Sequence, residues 1–336
     1  RMKVLFLSRQ VTYGHLLCRR AEGPCQSSGQ SASWADCGSG WTVPRSVHGT
    51  GCRIFAVASC TSPGTEACLH LSRFICYKTL KPEFAKDEIE QKRLIREARV
   101  TAMLQHPNTV PTYELGRDSK GNPYFTMKLV HGYTLREILD YRERYDLNQL
   151  MKLMIQVAYA LKYSHNHGVA HRDIKPENIL AGPFGEVLVL DWGLAKVWHP
   201  DGTAVEEVDG APSTIGDLSL TRQGKVQGTV HYMSPEQVNK DPSIDVRTDV
   251  YSFGAVLYEI LSGKNPAKGE KLHHIIESVL NDIPPPPSEV TNQRVPPLLD
   301  KVAMRCLQKD PVDRFQSIDE MLMVLQQDWE STLGVK

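Results

Sequence analysis

The sequence predicts an α+β chain of two lobes, a small β-rich part followed by a large helical part. Three observations carry that expectation. The composition changes abruptly near residue 76, strand-like segments joined by a hairpin turn lie beyond it, and long apolar helical faces begin at residue 147. At 336 residues, with 41% hydrophobic and 23% charged residues, the chain is long enough for two cores and ordinary for a globular protein.

Residues 1–76 hold seven of the eight cysteines, eight Lys and Arg, and three Asp and Glu. The remainder holds one cysteine, 31 Lys and Arg, and 36 Asp and Glu. The two parts are therefore net +5 and net −5, although the whole chain is net zero. The first part is rich in Ser, Gly and Cys, and Gln26 to Ser31 reads as loop or disorder. Its cysteines form no C-x-x-C pair, which argues against a zinc site. The apolar run Val4 to Leu7 is shorter than a signal peptide needs, which argues against export and a disulfide framework. We expect an atypical segment at 1–70, the β-rich lobe's remainder at 71–130 and the helical lobe at 131–336.

Taken in order, Arg53 to Ala58 and Leu71 to Tyr77 are short strand candidates. Glu88 to Gln105, with Leu94, Ala98, Ala102 and Met103 on one side, reads as an amphipathic helix. Thr109 to Leu115 and Tyr124 to Val130 read as strands joined by the turn Asp118 to Asn122. Leu147 to His167 is a helix with a broad apolar face. Glu186 to Leu190 is a short strand running into Asp191. Thr248 to Ser262 is apolar nearly all round and reads as a buried helix. Further helices are expected at Leu272–Leu280, Pro297–Gln308 and Ile318–Leu333, with a rigid loop at Pro284 to Pro287.

The sharpest chemical signal is His171-Arg172-Asp173-Ile174-Lys175-Pro176-Glu177-Asn178. Phosphoryl transfer needs an aligned hydroxyl, an acceptor for its proton and neutralised phosphate charge. Asp173 suits the first two tasks, Lys175 can touch the transferring phosphate, and Asn178 can offer Mg²⁺ a neutral oxygen. Thirteen residues on, Asp191-Trp192-Gly193 places a carboxylate at a strand end, suited to holding Mg²⁺. These two motifs resemble the catalytic loop and the metal-binding D-F-G of eukaryotic-type (Hanks-type) protein kinases, with Trp192 in place of Phe. Lys two positions after the Asp resembles the Ser/Thr-specific members. Leu190 to Lys196 and His231 to Gln237 are similar to the bacterial branch. The resemblance covers about Tyr77 to Leu333.

It implies a bilobal protein-kinase-like fold and further roles. Ser234-Pro235-Glu236 resembles the A-P-E that closes the activation segment, and Arg314 its ion-pair partner at Glu236. Asp249 resembles the buried Asp that holds the catalytic-loop backbone. Thr229 resembles the Thr whose hydroxyl meets the catalytic Asp and Lys. Upstream, Lys78 resembles the strand Lys that contacts nucleotide phosphates, and Glu97, nineteen residues later, its helix partner. Cys76 replaces the small Ala beneath adenine. Met127 resembles the gatekeeper, the backbone of Lys128 and Val130 the adenine-binding hinge, and Leu180 another nucleotide contact. The implied function is transfer of the ATP γ-phosphoryl group to Ser or Thr of proteins, with Mg²⁺ (or Mn²⁺) as cofactor.

One departure is large. The G-x-G-x-x-G loop that covers the phosphates is not found, and Gly49-Thr50-Gly51 lacks its third glycine. Residues 1–76 could thus be a divergent lid, an aberrant segment joined to a kinase remainder, or the mark of a catalytically weak kinase-fold scaffold. Against the scaffold stand Lys78, Glu97, Asp173, Asn178 and Asp191, all present. The segment Asp191 to Glu236 spans 46 residues, with Thr221 the leading autophosphorylation candidate and Arg172 a partner for its phosphate. Zero net charge gives no footprint for nucleic acid, and no apolar run is long enough to span a membrane. The expected location is the cytoplasm. The expected partners are protein substrates, and a homodimer could serve autophosphorylation.

Overall fold

The computed structural model describes residues 52–58, 74–198 and 228–333, with 52–58, 74 and 327–333 as backbone only. The described residues divide into two compact units, those up to 98 with 111–132 and 99–110 with those from 133 onward.

The first unit is built on an antiparallel sheet. Its strands are β1 (Cys52–Ala58), β2 (Phe74–Leu80), β3 (Thr112–Arg117) and β4 (Pro123–Lys128), in the order β1-β2-β4-β3. Register sets Lys78 opposite Ile54 on one side and Phe125 on the other. β4 is central and buried except at Lys128, whereas β3 at the edge alternates half-buried and exposed. Asp118 shapes the β3–β4 turn, its Oδ1 accepting from the N–H of Lys120 and of Asn122, with Gly121 at φ 81°. The strand expected at Thr109 starts three residues later. His106 to Thr109 instead form a turn, in which the N–H of Thr109 donates to His106 O, and Pro107 has no N–H for a ladder. The same turn ends helix α1 (Glu88–Met103) before Gln105. At its other end Asp87 Oδ1 caps the free N–H groups of Ile89 and Glu90.

The second unit is mainly helical. Helix α2 (Leu135–Leu139) starts from a capping box of Thr134 and Glu137, and α3 (Leu147–Asn166) from one of Asp146 and Gln149. The apolar stripe of α3, from Leu150 through Leu161, is buried in the unit's main core. After α4 (Pro235–Val238) comes α5 (Arg247–Ser262), buried from Thr248 to Ser262 and stopped by Gly263 at φ 73°. Helices α6 (Leu272–Asn281), α7 (Pro287–Val290), α8 (Pro297–Cys306) and α9 (Ile318–Leu333) follow. α8 approaches α5 so closely that a Cβ on Gly254 would lie 2.3 Å from the Cys306 Cβ. Among the described residues no helix is long and apolar enough to cross a membrane.

Short strand pairs in this unit position two loops. β5 (Tyr133–Thr134), β7 (Ile179–Ala181) and β8 (Val187–Val189) form one sheet, and β6 (Val169–Ala170) pairs with β9 (Lys196–Val197). The loop 171–178 therefore starts at β6 and ends at β7, while the loop 190–195 starts at β8 and ends at β9. Because β7 pairs with β8 and β6 with β9, the two loops are brought side by side.

Candidate active site

In the first unit, β2 and α1 each bury one charged side chain and the two meet. Lys78 and Glu97 are 4% and 7% exposed, and Lys78 Nζ donates to both Glu97 carboxylate oxygens, at 2.6 Å to Oε2. A buried ammonium survives only with such a partner, and the pairing fixes its position. The Phe125 ring lies 5.7 Å from Nζ and adds a weaker attraction. Cys76, two residues earlier on the same face of β2, is fully buried, and burial pushes its thiol up to about 12. It therefore packs as a small apolar group rather than a nucleophile. Met127 and Val130 are buried and Lys128 is exposed. The N–H of Lys128 donates to Pro111 O, so any contribution it makes to a ligand comes from its carbonyl.

In the second unit the loop 171–178 gathers four of the expected residues. Lys175 Nζ donates to Asp173 Oδ1 at 2.8 Å and Oδ2 at 2.7 Å, and to Thr229 Oγ1 at 3.2 Å. Asn178 Nδ2 donates to the Asp173 backbone O and to Oδ2, at 2.8 and 2.9 Å. Its amide nitrogen is thereby engaged, which leaves the amide oxygen as the group to meet a cation. Burial pushes the Asp173 carboxyl above the ordinary carboxylate range; the Lys175 charge opposes this and the Asp191 charge adds to it. For Lys175 burial opposes the charged form, but the Asp173 carboxylate outweighs it and keeps the ammonium charged. Asp191 itself, two residues past the end of β8, sits at φ 63°, an uncommon conformation for a residue with a Cβ. No group of three or more His, Cys, Asp or Glu among the described residues is arranged to hold a metal. A cation here would have Asn178 and Asp191 as protein ligands, and the rest of its shell would come from elsewhere.

Further contacts hold this loop, some of them expected from the sequence and some, such as those of Arg136, not. His171 Nδ1 accepts from the N–H of Asp173 and its Nε2 donates to Leu190 O, so one ring ties the two loops together. The same ring meets Trp192 edge-on at 4.5 Å, and Trp192 is buried, in keeping with a packing role. Asp249 accepts from the N–H groups of His171 and Arg172, and Gln237 donates to Arg172 O. Arg136 on α2 reaches Glu177 at 3.0 Å and Glu259 at 2.7 Å and also contacts the Tyr232 hydroxyl. It thus links the loop 171–178, α5 and the segment that begins at Thr229. Glu236 and Arg314 form a bidentate pair at 2.7 and 2.8 Å. Leu180 is buried on β7. Thr221 lies outside the described residues.

Residues 65–329 match the family model described as the protein kinase domain. The chain is 35% identical over 252 residues to a probable serine/threonine-protein kinase of Clostridium acetobutylicum, covering 75% of this chain and 35% of that protein. A probable serine/threonine-protein kinase of Streptomyces coelicolor is 35% identical over 254 residues, 75% of this chain and 35% of that one. The serine/threonine-protein kinase PknD of Chlamydia trachomatis serovar L2b is 32% identical over 275 residues, with 76% and 29% covered. The chain spans about a third of the length of these relatives.

Proposed function

The chain belongs to the protein kinase domain family, and on that premise we propose that it transfers the ATP γ-phosphoryl group to Ser and Thr hydroxyls of proteins. The observation that carries the reading is the cluster of Asp173, Lys175 and Thr229, with one ammonium bridging the carboxylate and the hydroxyl. In this reading Asp173 orients the acceptor hydroxyl and takes its proton, a task suited to a carboxyl whose pKa is raised by burial. Lys175 carries its charge to the phosphate, and Thr229 keeps Lys175 aimed. Lys78, fixed by Glu97, binds the nucleotide phosphates. On the first unit, the backbone of Lys128 and Val130, with Cys76, would take the adenine.

Kinases of this family work with ATP and a divalent metal. The oxygen donors Asn178 and Asp191 fit a small hard cation, and Mg²⁺ commonly takes one or two protein oxygens and completes its shell with phosphates and water. When bound, Mg²⁺ neutralises phosphate charge and orients the chain of phosphates. Mn²⁺ would fit the same donors. The relatives' names support Ser and Thr as acceptors. Autophosphorylation at Thr221, between two copies, and a cytoplasmic location belong to the same proposal.

The test pairs two measurements on one sample, a thermal shift with Mg²⁺-ATP and incorporation of γ-phosphate followed by phosphopeptide mapping. The expected result is stabilisation together with phosphate on Ser and Thr, Thr221 among them. Stabilisation with no incorporation into the chain or a general protein acceptor favours the scaffold reading. Phosphate confined to sites other than Thr221 sinks that assignment alone.

A further inference from the structure

In the second unit, the segment before α6 runs back along that helix and leaves a cleft of about 510 Å³ beside its last turn. The cleft's walls are tied together. The N–H of Lys268 donates to Ser278 Oγ at 2.9 Å, and Ser278 is buried. Packing sets the cleft's place relative to the chemistry. Val230 and Met233, just after Thr229, are buried with Ala267, Ile275 and Val279 in one apolar cluster. His231 Nδ1 donates to Ala267 O at 3.2 Å. The segment whose Thr229 meets Lys175 therefore backs onto the same helix that walls the cleft. The lining is apolar and cationic. Pro266 forms one wall, and Ile283 beyond the helix is 72% exposed. Asn281 is exposed between them, and its amide can both donate and accept, as a peptide group does. Lys268 is exposed and enters no ion pair among the described residues. Residues 264–274 hold three lysines, two histidines and one carboxylate, Glu270. The carboxylate of the cleft, Asp282, acts on the Lys309 ammonium and favours its charge.

We propose that this cleft docks an extended acidic segment of the acceptor protein, with an apolar residue against Pro266 and Ile283 and a carboxylate on Lys268. The inference rests on the transfer activity proposed above and adds a surface that selects the acceptor. Charge complementarity selects this occupant. The lysines of 264–271 repel a basic segment, and Asp282 already has Lys309 as its counter-charge. The Asn281 amide can pair with the segment's backbone, whatever its side chains. Continuity supplies the link to transfer. A protein held on α6 is held beside the segment that reaches Lys175, which raises the local concentration of its hydroxyls at Asp173.

The test has a binding arm and a transfer arm. Fluorescence anisotropy without nucleotide reads the binding of two labelled peptides, one alternating Glu and Leu and one alternating Lys and Leu. Steady-state transfer reads KM for dephosphorylated casein, an acidic acceptor, and KM for ATP. Lys268→Glu and Ile283→Asp, both at exposed positions, are compared with wild type and with Lys301→Glu, an exposed change on α8. Wild type should bind the acidic peptide about tenfold more tightly than the basic one, and added salt should weaken that binding. Each cleft variant should weaken acidic-peptide binding about tenfold and raise KM for casein about tenfold at unchanged KM for ATP, the scale of one lost anchor. Lys301→Glu should stay within about twofold of wild type in both arms, as a change outside the contact does. Equal binding of the two peptides overturns the proposal, as does a wild-type KM for casein in Lys268→Glu. Self-association of wild type that Ile283→Asp abolishes, with no binding of the acidic peptide, also overturns it and assigns the cleft to a second copy. A wild type that transfers no phosphate defeats the kinase reading, and the anisotropy arm still decides whether the cleft takes an acidic segment.

Discussion

Lys309 shows how one half-buried side chain sets a pH dependence. Its ammonium donates to Ser278 O and Val279 O at the end of α6, and burial pushes it down to about 8 from an ordinary 10.5. Between those values the unfolded chain binds more protons than the folded one, so stability rises with pH across that interval. The expected outcome is a rise in denaturation midpoint from pH 8 towards 10.5 that is steeper in wild type than in Lys309→Met; equal slopes would contradict it. Lys78 supplies an activity prediction at the same scale. Lys78→Met removes the cation that Glu97 positions, and it should lower kcat/KM about a hundredfold, as expected for loss of one preorganised donor to a charged group. Steady-state kinetics check it. Residues such as Asp173, Lys175 and Asn178 were legible because their partners lie within five positions. Arg136 was not, since Glu177, Tyr232 and Glu259 lie 41, 96 and 123 residues away.

At the scale of elements, helix existence followed from apolar periodicity, while edges followed from local chemistry that periodicity does not carry. α3 and α5 lie within a residue of where their apolar faces placed them, and Gly263 stops α5 where a left-handed residue is needed. β3 began late because the His106 to Thr109 turn took the residues that alternation had assigned to a strand. The contact of α5 with α8 was not legible, because a glycine in an apolar helix does not say which neighbour it admits. Gly254→Ala should force the two helices apart and cost about 1–3 kcal/mol, the usual range for overpacking. Denaturant titration checks it, and a change under 0.5 kcal/mol, roughly the scatter of surface substitutions, would contradict the close approach.

At the scale of the molecule, the second unit ties α4 and the start of α5 to the segment that follows α8 through one buried arginine. Arg314 is fully buried, and it donates to Glu236 and to the carbonyls of Arg247, Gln308 and Lys309. Arg314→Leu strands the Glu236 carboxylate, and it should destabilise the protein by about 3–5 kcal/mol. Arg314→Leu combined with Glu236→Leu should recover part of that loss in thermal denaturation, because the unpaired charge is then gone. The same architecture places Asp173 at the meeting of its two loops, buried, held by Asn178 and paired with Lys175. The most direct measurement is the initial rate of γ-phosphoryl transfer from Mg²⁺-ATP by wild type and Asp173→Asn. With Asp173 as the proton acceptor, the rate should fall by about 10²–10⁴, with thermal stability and the ATP-induced shift retained. Undiminished transfer by Asp173→Asn would contradict the account.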